Sequence, residues 1–201
     1  RVQQTRVAPR RSQLTPRLGH RMRRPAIQES LDAALAVEDW SHARSLLRAA
    51  LRRRPDDHWL WTRLAMVIYE QRQYSRALVA AQRAFALQPH CPLVLWDLAG
   101  PLQALGRHSE ALALYRRIVR TPLERLAHGR CGEGFVRARG LVADSYYRIS
   151  ISLDDVGRRK QALAAFNRHI SLRGPGCLSI YRRRDLSVPK PANRPGRVPV
   201  A

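Results

Sequence analysis

The chain has 201 residues, 45% of them hydrophobic, with 37 Lys and Arg against 15 Asp and Glu and a formal net charge of +22. That length and apolar content suffice for one buried core, while no stretch of about 18 residues escapes charge, which excludes a transmembrane helix. Cys91, Cys131 and Cys177 form no CxxC pair and are too scattered for a disulfide framework, so reduced thiols are expected.

Residues 1–25 carry eight Arg, no acid and three prolines (Pro9, Pro16, Pro25), and residues 173–201 carry seven basic groups and one acid. Such Pro-rich, aromatic-poor segments bury too little surface to fold, so 1–25 and 174–201 read as disordered basic tails. Arg clusters neutralise phosphates, which makes weak nucleic-acid or polyanion contact through the tails one reading; coding bias toward arginine is the other. No apolar run of secretory length follows the basic start, so a soluble, cytoplasmic protein is expected.

From residue 26 onward the chain repeats. Ala43, Ala77 and Ala111 stand 34 residues apart, as do Pro55 and Pro89. Each alanine has an aromatic or His three residues earlier (Trp40, Tyr74, His108) and an apolar partner four later (Leu47, Ala81, Tyr115). That spacing is helical. Residues 27–57 form a first, partly degenerate unit. Residues 58–91 are the clearest unit, with Trp61, Leu64, Ala65, Ile68, Tyr74, Ala77, Ala81, Ala84 and Pro89. Residues 92–122 repeat it with Leu95, Leu98, Ala99, Leu102, Gly106, Ala111, Tyr115 and Ile118. A fourth unit, 143–173, carries Tyr146, Ile149, Leu153, Gly157, Ala162, Phe166 and Ile170, but Ala162 follows Ala111 by 51 residues, which places an insertion at 123–142. A helix pair cannot bury its apolar face alone, so residues 26–173 are expected to stack as one all-α solenoid, the small alanines letting helices approach and Gly106 and Gly157 turning the chain.

The order Trp61, Leu64, Ala65, Tyr74, Ala77, Ala81, Ala84, Pro89 resembles the tetratricopeptide repeat. The resemblance implies a right-handed α-solenoid of about four helix-turn-helix repeats and a non-enzymatic scaffold without cofactor or metal. It further implies that a concave groove lined by first helices holds a protein or peptide partner. The groove positions so implied are Trp59, Met66, Tyr69, Glu70, Trp96, Gln103, Tyr147, Arg148 and Asp154. Arg148 is the one cation among them, so the Lys, Asn and Arg clamp with which relatives hold chaperone-tail carboxylates is not expected here. The alternative function is a basic nucleic-acid-associated protein placing Arg-rich tails and helix faces on phosphate.

Two features depart from the repeat. Gly100-Pro101 falls inside a first helix, where Pro removes a backbone bond and predicts a kink or break at Leu98 to Gly100. The insertion holds Gly129, Gly132 and Gly134 around His128, Cys131 and Glu133. His128 and Cys131 have the spacing of a metal half-site, whose other corners would have to come from His20, His90, Cys91, His169 or Cys177. With no second tight pair, no metal is expected, and the loop reads as a chain reversal in which Glu133 answers Arg130, Arg137 or Arg139.

Overall fold

The computed structural model describes residues 25–181, and within them every regular element is an α-helix. In chain order these are α1 (Pro25–Ala36), α2 (Trp40–Arg53), α3 (His58–Glu70), α4 (Tyr74–Leu87), α5 (Pro92–Ala104), α6 (His108–Arg120), α7 (Leu123–His128), α8 (Phe135–Asp155) and α9 (Arg159–Leu172). Each helix packs on the next through α6, and α6 then packs on α8 as α4 packs on α5. The insertion therefore leaves the stack continuous. It folds as the six-residue α7 and a glycine loop, and lengthens α8 at its N-terminal end to 21 residues.

The four repeat alanines, Ala43, Ala77, Ala111 and Ala162, are all 0% exposed. Their partners four residues on, Leu47, Ala81, Tyr115 and Phe166, are buried as well. A core of this density accepts neither missing nor added methylenes without strain. Asp39 caps α2 by accepting from His42 N at 2.9 Å, and Asp57 caps α3 by accepting from Trp59 N at 3.0 Å. Both satisfy donors that the first turn leaves open. The Trp61 indole donates to the Pro55 carbonyl at 2.7 Å and packs on Ala84, Cys91 and Val94, joining one unit to the next.

Every turn within a unit has the same design. Gly106 and Gly157 have φ of 75° and 74°, and at the equivalent positions Glu38 and Arg72 adopt φ of 57° and 58°. At each, the following amide returns to a carbonyl five residues back: Asp39 to Ala34, Gln73 to Ile68, Arg107 to Leu102 and Arg158 to Leu153. That bond closes the helix end and makes the left-handed residue obligatory, whatever its side chain.

The expected break at Pro101 does not occur, since α5 runs unbroken from Pro92 to Ala104 with Pro101 buried. Leu98, Ala99 and Leu102 anchor the turns on both sides in the core, and the side-chain-free Gly100 faces the Tyr69 ring. Burial of these side chains offsets the cost of the backbone bond that Pro101 cannot make. After α9, residues 174–181, which the sequence reading assigns to the disordered tail, turn back onto α8: Leu178 N donates to Val136 O at 3.2 Å. Residues 1–24 and 182–201, which carry the remainder of both expected tails, lie outside the described residues.

Candidate partner-binding groove

The first helices of successive units, α3, α5 and α8, line a cavity of about 430 Å³. Met66, Tyr69 and Glu70 come from α3, Trp96 and Asp97 from α5, and Leu141, Asp144 and Arg148 from α8. Helical spacing places Met66, Tyr69 and Glu70 on one stripe of α3, which is why they reach the same wall.

Arg148 links three of its walls. Its guanidinium lies over the Trp96 ring at 5.9 Å, donates to the Tyr69 hydroxyl at 3.3 Å and reaches Gln103 Oε1 at 3.3 Å. Its Nε is buried and makes no hydrogen bond. Trp96 in turn stands edge-on to the buried Tyr115, ring centres 5.5 Å apart. The cation, the two groove aromatics and Gln103 therefore hold one another in place.

The acids of the wall are electrostatically unusual. Burial pushes the Asp97 carboxyl up to about 7, with Arg63 opposing the rise. Burial also raises Glu70, with Arg148 opposing. Asp144 is raised by burial and drawn back by the two groups that bond it, the Ser179 hydroxyl and the Ile180 amide.

Those two bonds belong to the returning segment. Ile180 N donates to Asp144 Oδ2 at 2.9 Å, and the Tyr181 ring packs on Tyr147 at 4.6 Å and under Arg148 at 5.7 Å. Leu178 and Ile180 form part of the cavity wall. The segment can approach because α8 carries Gly140 there: a Cβ on that residue would collide with the Leu178 carbonyl. Among the other groove positions, Gln103 is buried, donating to the Arg148 carbonyl at 3.2 Å, and Tyr147 is buried among Phe166, His169 and Tyr181. Asp154 is partly buried in the last turn of α8.

Trp59 faces a different cavity, of about 810 Å³, at the N-terminal ends of α3 and α5. Arg53, Arg54, Arg63, His58, Cys91, Cys131 and Glu133 line it too. The insertion loop closes this end. Glu133 lies 4.0 Å from Arg63 and 3.8 Å from Arg137, the latter a partner anticipated from the sequence. His128 and Cys131 diverge: the His128 ring meets Phe135 edge-on at 4.8 Å and its Nε2 lies 4.0 Å from Glu124, whereas Cys131 Sγ lies 3.4 Å from His58 Nε2. His58, Cys91 and Cys131 bring their ligand atoms within 4.8 Å of one another.

Sequence reasoning missed His58 and the returning segment. The period held a signal for the first: Cys91 falls 34 residues after the capping Asp57, so His58 and Cys91 begin neighbouring first helices. For the second, Leu178-Ser179-Ile180 alternates apolar and polar, but three residues are too few to distinguish a strand-like strap from a tail.

A sequence profile of the family described as Tetratricopeptide repeat matches residues 24–67. Superkiller complex protein 3 of Mus musculus is 35% identical over 80 residues, covering 40% of this chain and 5% of that protein, so the chain spans only a small part of that relative. Among solved structures, the MamA RS-1 ArsTM double mutant superposes with a TM-score of 0.57 at 14% identity, covering 73% of each chain. YrrB, described as a TPR protein with an unusual peptide-binding site, superposes with a TM-score of 0.54 at 19% identity over 73% of this chain and 67% of its own. A tetratricopeptide repeat protein from Parabacteroides merdae gives 0.53 at 17% identity over 75% and 54%. At these identities the likeness is one of fold.

Proposed function

We propose that this chain, a tetratricopeptide-repeat protein, is a non-enzymatic scaffold that binds an extended segment of a partner protein along the α3, α5 and α8 groove. The observation that carries the reading is that the groove wall already receives a non-helical stretch of this chain's own backbone. Asp144 takes a main-chain amide, Gly140 admits the backbone, and Tyr147 and Arg148 take an aromatic side chain. Those are the elements of peptide recognition: main-chain bonds for affinity, side-chain pockets for selectivity. The peptide-binding site named for YrrB supports the same use of this fold.

The partner segment would lie beside residues 178–181, in the space between Tyr69, Trp96 and Arg148. Tyr69 and Trp96 offer faces for apolar side chains, and Glu70 at the cavity wall attracts basic ones. The Arg-rich tails of the nucleic-acid reading lie outside the described residues, and nothing in the groove favours phosphate over peptide.

A random peptide library displayed on phage tests the proposal against the immobilised full chain. Enrichment of a shared motif that Met66→Lys and Trp96→Ala variants no longer retain, their helical circular dichroism unchanged, is the expected result. No enrichment, or enrichment indifferent to both variants, overturns it.

A further inference from the structure

The cavity at the other end of α3 holds a second constellation. His58 is the first residue of α3, Cys91 stands at the N-cap of α5, and Cys131 arrives from the loop between α7 and α8. Three separate segments thus deliver one imidazole and two thiols to one point, within 4.8 Å of one another and with His58 Nε2 and Cys131 Sγ at 3.4 Å. We infer that His58, Cys91 and Cys131 form a zinc site.

With Zn–S bonds of about 2.3 Å and a Zn–N bond of about 2.0 Å in a tetrahedron, ligand atoms lie roughly 3.5–3.8 Å apart, so the observed cluster needs only side-chain adjustment to close on an ion. Ligand chemistry selects the metal. Thiolate and imidazole suit zinc and disfavour magnesium or calcium, which take oxygen. Both cysteines are reduced, as ligation requires. Two thiolates would offset the +2 of zinc, so the site bears no net charge amid Arg53, Arg54, Arg63 and Arg130 of the same cavity. Binding releases the two thiol protons to solvent.

Two details of the fold fit a built site. The capping position that Asp57 fills on α3 is filled on α5 by Cys91, a residue type not favoured for capping. The insertion is constrained where it presents Cys131: a Cβ on the adjacent Gly132 would strike the Ala127 carbonyl, and Gly134 N donates back to that same carbonyl at 3.0 Å. His58, Cys91 and Cys131 all line the 810 Å³ cavity, which leaves water or a carboxylate to complete the tetrahedron. Arg63, Leu93 and Glu133 line both this cavity and the groove, so the ion would pin the insertion across the groove's rim.

The test uses the full chain, purified with a non-thiol reductant, dialysed against Zn²⁺ and freed of loose metal on a desalting column. One Zn²⁺ per chain by elemental analysis is expected, falling below about a tenth of that in Cys131→Ser and in His58→Gln and persisting in Cys177→Ser. Co²⁺ in place of zinc should give thiolate-to-metal charge transfer and tetrahedral visible bands, a readout independent of folding differences. Absence of stoichiometric metal in the reduced chain, or metal retained by the Cys131 and His58 variants, overturns the site. So does an octahedral Co²⁺ spectrum without charge transfer.

Discussion

Arg148 and Tyr69 are 79 residues apart in sequence and 3.3 Å apart in space, an α8 guanidinium bonded to an α3 hydroxyl across the floor of the groove. The contact ties the second unit to the fourth past the intervening α5. Removing only the hydroxyl, in Tyr69→Phe, should therefore cost about 0.5–1.5 kcal/mol in urea denaturation. Arg148→Ala should cost more, since it also leaves Trp96 and Gln103 without their shared partner. Equal, negligible losses for both would mean that the units are not coupled through this pair.

Gly140 sets the place of the returning segment. Gly140→Ala favours α8 by helix propensity but puts a methyl where the Leu178 carbonyl lies. The expected outcome is faster hydrogen exchange at the Leu178 and Ile180 amides, with protection in α8 unchanged or higher.

The left-handed turns make a paired prediction. Gly106→Ala should destabilise by about 1 kcal/mol, because φ of 75° strains a residue with a Cβ. Arg72→Gly, at φ of 58°, relieves that strain at the expense of unfolded-state entropy and should lie within about 1 kcal/mol of neutral on the stabilising side. Thermal melts of the two variants against the parent chain decide it.

Asp97 should leave a pH signature. Its carboxyl is raised by burial from 3.8 in the unfolded chain to about 7 in the fold, so between those values the folded state holds the proton that the unfolded state has lost. Its contribution to stability falls as pH rises from about 4 to about 7 and is level above that. Asp97→Asn should flatten this slope and raise the denaturation midpoint at pH 8 relative to the parent, whereas at pH 4 the two should nearly coincide. A steeper slope in the variant would refute the assignment.

The repeat was legible because its physics is local: Ala43, Ala77 and Ala111 are recognisable by their 34-residue spacing and Ala162 by its helical neighbours, and each is fully buried. Gly106 and Gly157 announced their turns, and Glu38 and Arg72 could be placed by period alone. Met66, Tyr69, Glu70, Trp96 and Arg148 reach the groove cavity from positions implied by the family resemblance, while Trp59 faces the other cavity. What the sequence hid was long-range. Cys131 meets His58 across 73 residues, and no local pattern tells which of several His and Cys residues the insertion will approach. At Pro101 the local rule for proline predicted a kink or a break, and the helix runs on without a break.

The antiparallel pairing of helices gives the stack two rims of opposite character. One rim carries Glu38, Arg72, Gly106 and Gly157, four near-identical backbone turns of the same left-handed conformation. The other carries the connections between units, and there the chain varies freely: Asp57 at one step, Cys91 at the next, then α7 and the glycine loop. The insertion entered on the variable rim, between α6 and α8, and so added chemistry without disturbing the phase of the stack. A solenoid of this kind has one edge that keeps time and one on which new sites can be written.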